Sequence, residues 1–205
     1  SEFETTDLAD RIVEAVVTEE LSDLQSEFIL NRNMFYLSTI DESGYPSCSY
    51  KGGDLGFVRV IDPRTVVFPN YDGNGMFMSM GNIQAKEKVG LLFIDFETPQ
   101  RLRLRGEARC HRKGPMLASY PGANLVVEIS VDHVWVNCLR YVHRMQSLEE
   151  SPYLPGKDGN TALALWKRID IVQDVLKSQD RAEAESLGLI TVEEYEAYVA
   201  RGKLL

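Results

Sequence analysis

Apolar residues recur at helical spacing near the start of the chain. Leu8, Ile12 and Ala15/Val16 form one stripe, and Leu21, Leu24 and Phe28 form another. Thr6 and Ser22 stand where caps would sit, with acids following in the first turns, as the helix dipole favours. The pattern predicts two helices within residues 1–33 that pack on the barrel and carry no chemistry.

At Phe35 the period changes. FYLSTI is rich in aromatic and β-branched residues, DESGY has hairpin-turn composition, and PSCSYK alternates. Gly52, Gly53 and Gly56 loosen the chain before FVRVID, Asp62–Pro63 makes a turn, and TVVFPN is a further short strand. VGLLFID and RLRLRGEARC predict an antiparallel pair joined across Glu97–Gln100, and NLVVEISVDHVWVN supplies two more strands. Short strands without intervening helices of βαβ length predict an antiparallel barrel or sandwich, and a barrel is preferred. After Trp135 the expectation turns helical: a short helix in VNCLRYVHRMQ, a loop in SPYLPGKDGN and an amphipathic helix in TALALWKRIDIVQDVL. A capping box, Thr191 with Glu194, opens the last helix. The fold class expected is mainly β with flanking helices, a single domain with its barrel at residues 34–145 and a helical extension at 146–205. That extension is expected to pack on the barrel or on a partner subunit.

Composition narrows the function. The chain of 205 residues is 44% hydrophobic and 26% charged, enough for a sizeable core. No run of about 18 apolar residues exists, so no membrane partner is expected. The acidic start lacks an apolar signal core, so no secretory peptide is expected. Three cysteines, Cys48, Cys110 and Cys138, lie in no metal spacing, and a reducing cytoplasm fits them. The net charge of −9 argues against nucleic acid. Its distribution is uneven: residues 1–33 hold nine acids against two bases and residues 146–205 eleven against seven, whereas 34–145 carry eleven acids and thirteen bases. The middle segment is where an anion could be held.

Candidate chemistry follows from alternation. In an extended PSCSYK, Ser47, Ser49 and Lys51 share one face while Cys48 and Tyr50 share the other. Two hydroxyls and an ammonium suit a phosphate, although a solvated polar strand face has the same composition. In RLRLRG, Arg101, Arg103 and Arg105 share a face and Leu102 and Leu104 point into the core. Three like charges so close need anionic neighbours, either acids on an adjacent strand or a bound anion. The loop NYDGNGMFMSMGN holds Gly73 and Gly75, which let backbone amides approach a ligand, and Asn74, Ser79 and Asn82 as neutral donors. His111, His133 and His143 read as ordinary strand and helix residues, and no Ser-His-Asp or Cys-His arrangement can be read from the spacing.

The order of these pieces (PSxSxKGG, GFVRV, FPNYDGNG with a later Ser and Gly-Asn, VGLLFID, LRLRGEA) resembles the pyridoxamine 5′-phosphate oxidase-like flavoproteins, the FMN-binding split barrels. The later Asn137, Cys138, Arg140 and Tyr141 resemble a subgroup of them. The resemblance implies a six-stranded antiparallel split barrel and a homodimer with FMN at the subunit interface. It implies cofactor binding by Ser47, Ser49, Lys51, Asn74, Ser79 and Asn82, with Arg101 or Arg103 near the polar edge of the ring and Arg140 in support. An arginine there would favour a reduced, anionic flavin.

The chain departs from the oxidase itself in two places. It has no basic residue between Tyr71 and Ala85, where the oxidase carries an Arg-Lys pair, and it lacks the oxidase's substrate-binding C-terminal strand. Oxidation of pyridoxamine phosphate is therefore not expected. The reading is an FMN-dependent oxidoreductase acting on a small molecule, with reduced nicotinamide as a candidate donor and the flavin carrying the chemistry. The alternatives are a non-catalytic flavin- or haem-binding module and a dimeric barrel without cofactor.

Overall fold

A computed structural model describes residues 5–202, which group into two compact units meeting in sequence between Ser147 and Leu148. Residues 1–4, part of the expected N-terminal helical segment, lie outside the described residues.

The first unit opens with helix α1 (Thr6–Val16) and helix α2 (Asp23–Leu30). Thr6 is not a cap: Thr5 holds the N-cap position and makes no side-chain hydrogen bond there. Ser22 does cap α2. Its Oγ accepts from Gln25 N at 3.3 Å, while Gln25 Oε1 accepts from Ser22 N at 2.9 Å. Ile29 of α2 is fully buried, whereas α1 buries no residue.

Seven strands come next: β1 (Met34–Ile40), β2 (Pro46–Gly52), β3 (Arg59–Asp62), β4 (Thr65–Asn70), β5 (Lys88–Asp95), β6 (Gln100–His111) and β7 (Leu125–Asn137). They form one antiparallel sheet in the order β2-β1-β5-β6-β7-β4-β3, seven strands where the resemblance implied six. Helix α3 (Met78–Ala85) joins β4 to β5, and the short α4 (Pro115–Ala118) precedes β7. The β1–β2 turn closes through Asp41, whose carboxylate accepts from Tyr45 N at 2.8 Å, with Gly44 at φ +91°.

The sheet is strongly curled. β1 and β4 are four strands apart in the order, which in a flat sheet would separate them by about 19 Å. Yet the rings of Phe35 on β1 and Phe68 on β4 meet at 5.0 Å between centroids. Phe57 and Phe93 join them at 5.9 and 5.2 Å from Phe35, so one aromatic cluster fills the inside of the curl. Leu37, Leu91, Leu102, Leu104, Val127 and Ile129 complete that core.

Two sequence expectations for this unit are corrected. NLVVEISVDHVWVN forms the single long strand β7, because β6 pairs along its whole length and absorbs the mismatch in a bulge between Arg105 and Gly106. VNCLRYVHRMQ is not a helix. Val136 and Asn137 stay in β7, Met145 N bonds Phe96 O at 3.1 Å, and Tyr141 sits at φ +68°, outside helical backbone.

In the second unit, TALALWKRIDIVQDVL forms two short 3₁₀ turns (Leu165–Arg168 and Asp170–Val175) rather than one helix. The reason is local. Ile169 adopts extended backbone to bridge Ile190, with Asp170 N bonding Ile190 O and Ile190 N bonding Arg168 O, each at 2.9 Å. Helices α5 (Ser178–Leu187) and α6 (Val192–Ala200) complete the unit, and α6 opens with the expected Thr191–Glu194 capping box. Leu165, Ile169 and Ile190 form its small core, and Lys167 pairs with Asp180 at 3.0 Å. No described helix is long and apolar enough to cross a membrane.

At Gly106 the β6 backbone lies tight against β7. A Cβ there would lie 2.1 Å from Ser130 O, backbone that cannot step aside. Gly106→Ala is therefore expected to cost about 1–3 kcal/mol, as overpacking typically does. Urea unfolding of the two proteins measures it, and an unchanged midpoint would contradict the β6–β7 register.

Candidate functional site

Period-two alternation and the β1–β2 register place the candidate residues. Ser49 pairs with Leu37 and Lys51 with Phe35, and both partners are core residues. Ser47, Ser49 and Lys51 therefore share the inner side of the sheet and are half-buried, while Cys48 and Tyr50 are exposed. The inner face of β2 looks onto α3, and between them lies a cavity of about 450 Å³. Ser47, Ser49, Lys51, Asn74 and Ser79 line it, bringing together five of the nine residues singled out in the sequence.

The base of the cavity is polar and electropositive. Ser49 Oγ and Ser79 Oγ are 3.0 Å apart. Lys51 forms no ion pair with any described residue, and burial pushes its ammonium below the usual lysine pKa. α3 begins at the cavity with Phe77 in left-handed backbone (φ +50°) and no side-chain cap, so its first N–H groups lack a capping acceptor. Uncapped N–H groups and the dipole behind them make a helix start a favourable place for an anion. Asn74 orders the loop: its Oδ1 accepts from Met76 N at 3.1 Å.

Four residues that the sequence did not single out also matter. Asn70 is buried and donates to Asn124 Oδ1 at 2.9 Å, fixing the end of β4. Tyr71 lines the cavity, and burial followed by the nearby Asp54 carboxylate raises its phenol, which stays a hydroxyl donor. Phe77 and Met78 give the cavity an apolar, largely exposed mouth. Only the run MFM hinted at this mouth, since hydrophobic residues in a Gly/Asn loop have no core to serve.

The other four predicted residues lie elsewhere. Asn82 does not line the cavity; it donates to the buried Thr39 Oγ1 at 3.0 Å, tying α3 to β1. Arg101 and Arg103 pair with Ile94 and Leu92, and Leu92 in turn pairs with Tyr36, which pairs with Tyr50. That row is the outer side of the sheet, opposite Ser47, Ser49 and Lys51. Arg101 donates through its guanidinium to the Cys138 carbonyl. Arg140 donates to Cys138 Sγ at 3.2 Å. Hydrogen bonds from the Arg140 N–H and guanidinium draw the exposed Cys138 thiol below its usual pKa.

The curled antiparallel sheet thus carries a cavity of mixed polar and apolar lining between an edge strand and a helix start. The chain belongs to the pyridoxamine 5′-phosphate oxidase family, whose sequence profile matches residues 21–152. No curated protein matches the chain. Among solved structures it is similar to a candidate pyridoxamine 5′-phosphate oxidase from Lactobacillus delbrueckii, at 25% identity over 58% of this chain and 95% of that one, with a TM-score of 0.48. HupZ from Group A Streptococcus gives 18% identity, 62% and 99% coverage and a TM-score of 0.48. An FMN-binding protein from Syntrophomonas wolfei gives 13% identity, 67% and 94% coverage and a TM-score of 0.40.

The lowered pKa of Lys51 has a consequence for stability. The fold disfavours the ammonium, so the cost is full below the folded-state pKa and is relieved as pH rises toward the ordinary value of 10.5. Ligand-free Lys51→Met should be more stable than the parent near neutral pH, and the gap should close as pH approaches 10.5. Thermal melts across that range measure it, and a gap independent of pH would contradict the assignment.

Proposed function

We propose that the protein is a flavoprotein that binds FMN in this cavity and passes hydride or electrons to or from a small molecule. The observation that carries the reading is the half-buried Lys51 ammonium, with no counter-ion among the described residues, facing Ser49, Ser79 and the uncapped start of α3. A dianionic phosphate restores the charge balance of that group and accepts from the surrounding hydroxyls and N–H groups. The cavity lining combines the Lys51 charge and several hydroxyls with the apolar side chains of Phe77 and Met78, the mix that a ligand with a phosphate and an aromatic ring requires. Its volume of about 450 Å³ lies within the usual range for cofactor sites.

In this reading Ser47, Ser49, Lys51, Asn74 and Ser79 hold the phosphate end, and Asn82 positions α3 through Thr39. The helix start takes over the charge that a basic pair would have supplied between Tyr71 and Ala85. When bound, the flavin supplies the redox chemistry, and the chain supplies binding, orientation and a hydroxyl donor at Tyr71. The exposed mouth supports a homodimer in which a second copy closes the ring end, so Arg101, Arg103 and Arg140 would contact flavin only across that contact. Reduced nicotinamide is the proposed donor, and the proposed compartment is the cytoplasm. A flavin carrier without turnover is the second reading, favoured by the single lysine at the phosphate, and steady-state oxidation of reduced nicotinamide separates the two.

Lys51→Ala removes a charge-assisted contact and is expected to weaken FMN about 10- to 100-fold, from roughly 1.5–3 kcal/mol lost. Ser79→Ala should cost only a few-fold. Titrations followed by quenching of flavin fluorescence measure both. Undiminished affinity in Lys51→Ala would overturn the site.

A further inference from the structure

Three polar side chains are buried among the described residues: Thr39, Ser79 and Asn70. Thr39 accepts from Asn82, and Ser79 shares a hydrogen bond with Ser49. Asn70 is satisfied on one side only. Its Nδ2 donates to Asn124 Oδ1 at 2.9 Å and to the Tyr71 carbonyl at 3.3 Å, which uses both amide hydrogens. Its Oδ1 has no hydrogen-bond partner among the described residues, although Asn70 is only 7% exposed and lines the cavity. A buried acceptor left bare is costly to the fold.

The sense of that amide is fixed by its neighbours. Turned over, Oδ1 would face the Tyr71 carbonyl, acceptor against acceptor, whichever way Asn124 turned. The backbone holds the pair as well, since Asn124 N donates to Asn70 O at 3.0 Å. The cavity wall at the end of β4 therefore offers an acceptor among the donors of Lys51, Ser49 and Ser79. Beside it Tyr71 lines the same cavity, and its hydroxyl has no hydrogen-bond partner among the described residues. Burial raises that phenol, so it stays a donor.

An acceptor next to a donor asks for something other than phosphate. A phosphate dianion only accepts, so Oδ1 repels it, and an aromatic face satisfies neither group. A hydroxyl does both: it gives its hydrogen to one and takes a hydrogen from the other. We propose that Asn70 Oδ1 is a specificity-determining acceptor for a hydroxyl of the ligand's polyol chain, the chain that joins phosphate to ring in FMN. Asn124 and the Tyr71 carbonyl are its positioning groups. This inference rests on the FMN reading and names what the cavity recognises besides phosphate. The N–H at the ring edge is another donor that FMN offers. In that reading, however, the ring lies against the exposed Phe77 and Met78, whereas Asn70 is buried.

Equilibrium binding, followed by quenching of flavin fluorescence, tests the proposal with two ligands. One is FMN, and the other is an analogue in which a plain alkyl chain joins the phosphate to the same ring. The parent protein should prefer FMN by about 10-fold, as one hydrogen bond to a buried acceptor gives. Asn70→Ala should weaken FMN by that factor and leave the analogue unchanged, with thermal melts reporting that the variant folds. Asn124 is exposed, so its replacement spares the core. Asn124→Ala should lower the preference for FMN. Asn124→Asp keeps an acceptor for the Asn70 amide and should retain that preference. Equal binding of both flavins by the parent protein would overturn the proposal and leave the FMN reading standing. So would an Asn70→Ala protein that loses both ligands by the same factor. Binding of neither flavin by the parent would sink the FMN reading, and this inference with it.

Discussion

The pairing register of β2 on β1 is the constraint on which the rest of this structure depends. Because Phe35 lies opposite Lys51 and Leu37 opposite Ser49, every second residue of β2 is drawn to the side that holds the core. The same register sends Tyr50 outward beside Tyr36. A slip by one residue would turn the lysine and both serines to solvent and drive Tyr50 and Cys48 against α3. The slip is opposed by Phe35 and Leu37, both fully buried in the aromatic and aliphatic core, and by the closed turn at Asp41. Packing of the core and placement of the polar cavity are thus one interaction seen from two ends.

The cavity gets its electrostatic character from what is left unbalanced. Several cations in the first unit have acids beside them: Arg32 reaches Asp95 at 2.8 Å, and Arg64 reaches Glu19 and Glu20. Lys51 has none among the described residues, and the start of α3 beside it has no side-chain cap. Folding leaves both unmet at some cost to stability, and the groups that remain are of one sign. An anion relieves both together. In the proposed reading a single lysine, helped by a helix dipole, holds phosphate more weakly than two basic side chains would, so the proposed cofactor is expected to exchange readily.

Much of the fold was legible in the chain. Alternation over FYLSTI, PSCSYK, VGLLFID and RLRLRGEARC marks strands that form where expected, and Ser22 and the Thr191–Glu194 capping box start their helices. The errors share a cause, which is long-range pairing overriding local pattern. TALALWKRIDIVQDVL has helical periodicity, but Ile169 is worth more bridging Ile190 in extended backbone. NLVVEISVDHVWVN reads as two strands because the bulge opposite Arg105 and Gly106 shifts its phase halfway along. The site divides in the same way. Ser47, Ser49 and Lys51 share a face through local alternation, which a sequence displays. Whether Arg101 and Arg103 share that face depends on β1–β5 and β5–β6 pairing, which a sequence does not display, and the register puts them on the other side. Tyr71 and Phe77 were missed because their meaning comes from where α3 begins.

The central claim is that the cavity between β2 and α3 takes the phosphate end of FMN. The most direct measurement is the visible absorption spectrum of the purified protein, followed by release of any chromophore with denaturant and addition of free FMN to the protein. The account predicts a flavin-shaped spectrum, release of FMN, and uptake of added FMN until each chain holds one. A colourless protein that takes up no added FMN would contradict it.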